Sequence, residues 1–320
     1  RGNIREIMNA LGGIITYGYD ELNRVTEVID AKGNQRKYEY DDAGNLTKYM
    51  NADGKVRTYS YNESGKVTEI ADFDGSRVIR KYNALNKLEA LIDQEGRAVR
   101  FEYDKMWNLA MITEPNGAIT RFSYDQNNRL ESIKDALGNK TYFTYDGNGN
   151  RLSREDAAGA KTTFSYDAAG RLIRIIDPEG TETCYEYDDE GRLVKTTDAL
   201  GNETVYIYDA TGRLKERRKS VGESRIYEYT VLGNIKSITT EAGLRICYSY
   251  LPGETKISGI EYPDGTIEAY TYDANGNLES KTDRGGYIWH YQYDCLDRLT
   301  EARGAEGEHI SFTYDAVGNV

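Results

Sequence analysis

Residues 166–188 read YDAAGRLIRIIDPEGTETCYEYD, and this stretch decides the fold. It opens on Tyr166-Asp167, runs through Gly170-Arg171-Leu172 to Asp177-Pro178-Glu179-Gly180, and closes on Tyr185-Glu186-Tyr187-Asp188, where the pattern restarts. Counting outward in steps of 21 residues meets a tyrosine each time, down to Tyr19 and up to Tyr250. The next anchor is Tyr272, after a gap of 22, followed by Tyr293 and Tyr314. Self-similarity at one period along a whole chain is the mark of a repeat architecture. The chain therefore reads as one array over residues 1–320, of about fifteen units.

Two residues before each anchor stands a second aromatic, such as Tyr17, Phe101, Phe164 and Tyr185, with Arg80 as the exception. A spacing of two puts both rings on one face of a strand, whereas residues two apart on a helix do not share a face. After the anchor comes Asp in most units, then Gly or Asn three places later, as in Asp41/Gly44 and Asp20/Asn23. Those residue types permit the positive φ and side-chain-to-backbone bonding that hairpin turns require. An aliphatic residue then opens a second strand, often with another apolar residue three places on, as in Val67 and Ile70. A spacing of three requires either a bulge or burial of both faces. The second turn carries a glycine in every unit, from Gly12 through Gly180 to Gly307.

Two strands per 21 residues predict about thirty antiparallel strands, roughly 140 Å of sheet at 4.8 Å spacing. Open twisted sheets of that width curl. The expected fold class is all-β: tandem 21-residue hairpins in a long antiparallel sheet coiled into a spiral or partial hollow shell.

Composition agrees with a thin structure. Hydrophobic residues make up 38%, and there are 28 tyrosines against 6 phenylalanines, so buried rings keep a hydroxyl that can reach water or a partner. The net charge of −12 argues against nucleic acid as a partner, and no apolar run is long enough for a membrane span in this piece. Cys184 and Cys247 share a repeat phase three units apart, roughly 29 Å by strand spacing, too far for a disulfide. Cys295 falls in a turn, and the redox state of all three is open.

The repeat resembles the YD or Rhs repeat, on the strength of residues 166–188 and the matching runs Tyr124-Asp125 to Gly138-Asn139 and Tyr187-Asp188 to Gly201-Asn202. That family includes bacterial polymorphic toxin shells, Tc toxin shell subunits and animal teneurins. The resemblance implies a structural shell segment of a bacterial Rhs-type protein, secreted or at the cell surface, whose full length encloses and delivers a C-terminal toxin domain. It also implies as partners the rest of the parent chain, namely shell caps and toxin. Bacterial members release the toxin at an Asp-Pro-x-Gly-Leu setting. Here Asp177-Pro178-Glu179-Gly180 precedes Thr181 in an ordinary turn phase, and reads as a turn. The chain starts with Arg1-Gly2-Asn3-Ile4 and stops at Gly318-Asn319-Val320, both mid-unit, so it is expected to be a fragment without caps or toxin.

The competing reading is an adhesion surface whose exposed Tyr and Asp bind a glycan or a cell-surface protein. An enzyme is not expected. No nucleophile elbow, phosphate loop or dinucleotide fingerprint occurs. His290 and His309 lack companions at metal-ligand spacing, and the Asp-rich turns match neither the EF-hand nor the calcium β-roll pattern. No catalytic, cofactor-binding or metal-ligating residue is assigned. The irregular places are Asn150-Arg151-Leu152, expected to bulge; Leu251-Pro252-Gly253-Glu254, expected to kink or make a lateral contact; and Trp107, which replaces a turn glycine.

Overall fold

A computed structural model describes residues 2–220 and 222–320. Arg1, one of the two mid-unit ends expected from sequence, lies outside these residues, as does Val221. Among the described residues there are thirty strands, from Glu6–Met8 to His309–Ser311, and no helix. The all-β reading and its strand count both hold. By proximity the chain divides into two units, Arg1–Arg80 with Glu228–Ile238 and Leu244–Val320, and Lys81–Tyr227 with Thr239–Gly243. The 21-residue pattern runs through each.

Within a unit, successive strands pair antiparallel through three-residue loops. In the loop after Tyr40, the Asp41 N–H donates to the Asn45 carbonyl at 2.9 Å and the Gly44 N–H to the Asp41 carbonyl at 3.0 Å. This is a type I turn followed by one left-handed residue, Gly44 at φ +90°. The second turn repeats the scheme, with Asp177 and Thr181 in place of Asp41 and Asn45, and Gly180 at φ +84°.

Trp107 takes the left-handed position without being glycine, at φ +64°, and stays 45% exposed. A bulky side chain there is strained. Trp107→Gly should therefore stabilise the chain by about 1 kcal/mol, visible as a higher urea midpoint; a lower midpoint would mean that the indole packing outweighs the strain.

The spacing of three in the second strand is resolved as a bulge. Tyr59 lies opposite Ile70 and Ser60 opposite Glu69, but Tyr61 lies opposite Val67, so Thr68 is the extra residue. The same shift falls just before the anchor tyrosine in both units of the structure. It sets Val67 and Ile70 on the aromatic face together with Tyr59 and Tyr61. The other face carries polar pairs, such as Ser123 with Ser132, 2.7 Å between hydroxyls.

A bulge does fall at Asn150-Arg151-Leu152, with Leu152 as the extra residue, but it is the one common to the other units. Tyr145 pairs with Arg151 in the register that other anchors use with their aliphatic partner. Arg151 fills the aliphatic position, its guanidinium 4.8 Å from the Phe164 ring centre and 6.0 Å from that of Phe143. Its long stem and flat cation substitute for a branched side chain between two rings.

Burial is shallow throughout. Ala90 and Ala302, 6% and 5% exposed, are the buried apolar residues among those described. The sheet is held by many half-buried rings rather than by a closed core.

Candidate functional site

The repeated junction between units is the first structural device. Most anchor hydroxyls donate to a carbonyl fifteen residues back: Tyr40 to Val25 at 2.8 Å, Tyr61 to Leu46 at 2.6 Å, Tyr187 to Leu172 at 2.9 Å. The reason lies in the bulge. Pairing between Leu46–Met50 and Val56–Tyr61 runs only as far as Lys48 opposite Thr58, two residues short of Leu46. The Tyr61 hydroxyl reaches across where the ladder stops. A carbonyl left dry there would cost a full desolvation penalty. This explains why the anchor is always Tyr while its partner two places earlier is Tyr or Phe, and once Arg80.

The turn Asp and the following Arg extend the junction. Arg171 Nε donates to Asp167 Oδ2 at 2.7 Å, its Nη1 donates to the Asp188 carbonyl at 3.0 Å, and its guanidinium lies 5.0 Å from the Tyr187 ring centre. Arg24 and Arg129 repeat this set on Tyr40 and Tyr145. One half-exposed ion pair contributes little. Here the same guanidinium also stacks and donates to the next unit.

The backbone N–H of Arg171, followed by its guanidinium, holds the Asp167 carboxyl below the usual range against desolvation. For Asp209 the Thr211 hydroxyl is the largest cause, followed by the Arg213 N–H, and the lowering is large. A carboxyl with a depressed folded pKa contributes stability above its unfolded pKa of about 3.9, and that contribution is lost as pH falls through the folded value. Thermal stability should therefore hold from pH 7 to about pH 5 and fall below about pH 4. A transition temperature already falling between pH 7 and 5 would contradict this.

The second device lies in the first unit, where turns far apart in sequence touch. Asn9 Nδ2 donates to the Ala274 carbonyl at 2.7 Å. Lys32 Nζ meets Asp273 Oδ2 at 3.0 Å, and the Lys32 N–H donates to Asn275 Oδ1 at 3.1 Å. Asn275 Nδ2 donates to both Asp30 Oδ2 and Asp297 Oδ1 at 2.9 Å. A second-turn row over residues 9–34 thus lies against a first-turn row over residues 273–297. Gly13 sits at the closest approach, where a Cβ would fall 2.5 Å from the Ala274 oxygen. The irregular loop belongs to the same contact. Leu251 N–H closes onto the Lys256 carbonyl, one residue farther than in other turns, and Glu254 Oε1 accepts the Ala10 N–H at 3.3 Å. The lateral contact expected at Leu251–Glu254 is present, and the extra residue of the 22-residue gap lies in this loop.

Asn9, Gly13, Lys32 and Asn275 were not singled out from sequence. The available signal was the doublet Gly12-Gly13, because every other second-turn glycine is followed by a residue with a side chain.

Reactive groups are scattered. Among the described residues no three His, Cys, Asp or Glu side chains cluster as metal ligands would. His309 bonds Glu301 across a strand pair, and His290 lies opposite Ser280. All three cysteines are free thiols. The Cys184 Sγ donates to Glu182 at 3.0 Å, which pushes the thiol pKa up, and burial raises that of Cys295. Neither is activated as a nucleophile. An open groove of about 600 Å³ runs between successive first turns at Asp41, Tyr59, Tyr61 and Glu63. Its lining is the ordinary turn and strand-end chemistry of two neighbouring repeats, including Asn45, Thr47 and Asn62.

Comparison with known proteins places this geometry. Residues 74–210 and 202–283 match the teneurin YD-shell family, and residues 1–35, 40–77 and 272–309 match the RHS repeat. A stretch of 79 residues is 33% identical to double-stranded DNA deaminase toxin A of Burkholderia cenocepacia strain H111, covering 24% of this chain and 5% of that protein. Among solved structures, the TcdB2-TccC3 crystal structure superposes over 97% of this chain and 20% of its own, with a TM-score of 0.76 at 16% identity. The Photorhabdus luminescens Tc holotoxin pore superposes over 96% of this chain and 22% of its own, with a TM-score of 0.69 at 15% identity. The chain thus spans about a fifth of the solved structures it matches and a twentieth of the curated relative. At these identities the superpositions speak for the fold alone.

Proposed function

The chain belongs to the teneurin YD-shell and RHS-repeat family, and from that membership we propose that it is a non-catalytic wall segment of a bacterial Rhs-type protein that encloses and delivers a toxin domain. The observation that carries this reading is the contact between the turn rows of residues 9–34 and 273–297. A repeat sheet that seals its own turn edges is suited to being a wall. A sheet used only as an adhesive surface has no need of half-buried, mutually bonded Asn and Asp along those edges. The relative named as a deaminase toxin and the neighbours named as Tc assemblies lend support, because each is a far longer protein in which such a segment is a small part. On this reading the partners are other parts of the parent chain, shell caps and toxin, and the protein acts outside the cell that makes it.

The test is limited proteolysis of the full-length parent. The reading expects a C-terminal segment that resists protease in the intact protein and is digested once the wall is opened by Gly13→Val. A C-terminal segment digested equally fast in both proteins would overturn it. Glycan-array binding lost on changing exposed tyrosines would favour the adhesion surface instead.

A further inference from the structure

One cross-strand position on the aromatic face breaks the pattern. In most units it is apolar or neutral, as in Ile70 opposite Val78, Leu91 opposite Val99 and Ile175 opposite Thr183. Where a cation occurs there, it faces an uncharged residue, as Arg154 faces Thr162, and some of these cations also have a carboxylate at hand. Arg36 faces Val28 with Asp297 at 3.7 Å, and Arg57 faces Tyr49 with Asp72 at 2.7 Å. Between the strands Leu214–Lys219 and Arg225–Tyr229, however, Arg217 lies directly opposite Arg225. Like charges at directly opposed positions repel.

The surroundings do not neutralise the pair. Arg225 Nη2 reaches both oxygens of Glu223 at 2.9 Å. No carboxylate lies within ion-pair distance of Arg217 among the described residues, and its Nε is buried without an acceptor. Lys219, two residues along on the same face and opposite Thr204, adds a third cation. Glu223 feels all of them: the Arg225 guanidinium lowers its pKa most, with Lys219 and Arg217 contributing. Arg217, Arg225 and Lys219 stand together around Glu223, with Glu216 and Glu241 lining the hollow beside Lys219, in a chain of net charge −12. Tyr206, opposite Arg217 on its other side, supplies a flat apolar flank.

We propose that Arg217, Arg225 and Lys219 form a binding site for a compact oxyanion, a phosphate or a carboxylate group, on the aromatic face. Guanidinium forks match the planar, paired oxygens of such groups, and the ligand supplies the acceptor that Arg217 lacks. The site is independent of the wall function and can fail without it.

The experiment is thermal unfolding of the full chain at constant ionic strength in sodium chloride, with inorganic phosphate in one arm and acetate in another, together with calorimetric titration of each anion. Phosphate, acetate or both should raise the transition temperature by a few degrees, and the arm that responds identifies the oxyanion. Arg217→Ile, which restores the residue of other units, should weaken the binding constant at least about tenfold. The same variant should raise the transition temperature in chloride alone, since it removes the repulsion, and this guards against a variant that merely misfolds. Arg217→Lys, which keeps the charge but loses the fork, should bind less well than the native chain. Indifference to both anions, or a response undiminished in Arg217→Ile, would overturn the proposal.

Discussion

Replacing Gly13 by valine should separate the two turn rows of the first unit, at a cost of about 2–3 kcal/mol. The backbone at Gly13 is not left-handed, so the cost is spatial. A Cβ there would lie 2.5 Å from the Ala274 carbonyl oxygen, 2.7 Å from the Ala31 Cβ and 2.9 Å from the Asn9 amide nitrogen. Two of these belong to backbone or short side chains that cannot swing away. Displacing Ala274 also breaks the Asn9 bond at 2.7 Å and moves Asn275, which bridges Asp30 and Asp297. The neighbour Gly12 gives an internal control. Its φ is +79° and a Cβ at that position would meet nothing within 4 Å, so Gly12→Ala costs only strain, about 1 kcal/mol. Urea unfolding followed by protease mapping separates the two. Gly13→Val should cut faster at residues 9–34, and Gly12→Ala should not. Equal cleavage would show that the contact between rows contributes nothing.

The second large effect concerns one oxygen atom. Tyr187→Phe should cost about 1–2 kcal/mol, because the Leu172 carbonyl, reached by that hydroxyl at 2.9 Å, is left without its partner. Tyr185→Phe, in the same strand and on the same face, should stay within about 0.5 kcal/mol. Tyr187→Ala should cost about 3–5 kcal/mol, since it also removes the ring beneath the Arg171 guanidinium. Equilibrium unfolding of the three variants decides the matter. Equal losses for the two Phe substitutions would remove the hydroxyl from the account of why the anchor is Tyr.

The alternation of rings, the Asp and Gly turn chemistry and the two-strand unit were legible because each depends on residues a few places apart. The bulge at Thr68 was narrowed to one of two explanations but not chosen, since Val67 and Ile70 could equally have faced opposite sides. Arg151 was misread because sequence offers an aliphatic template, and only the rings of Phe143 and Phe164 show that an arginine stem can fill it. The turn contact was signalled only as an irregularity near Leu251. Its partners lie more than 240 residues away, and nothing local in Lys32 or Asn275 announces which turn will face them. The Arg217–Arg225 opposition follows from register, which becomes countable only once the bulge is placed.

The anchor hydroxyl that reaches just fifteen residues back has a consequence for inheritance. Bonds of that span close within one unit and its predecessor, so a gene that gains or loses a whole 21-residue module by unequal recombination leaves every such bond intact. The junction tolerates changes in copy number. The meeting of Lys32 with Asp273 and Asn275 does not, because one module more or fewer between them presents a different turn. Array length can therefore drift neutrally by local criteria, while a few side chains at the meeting rows hold it to a particular count.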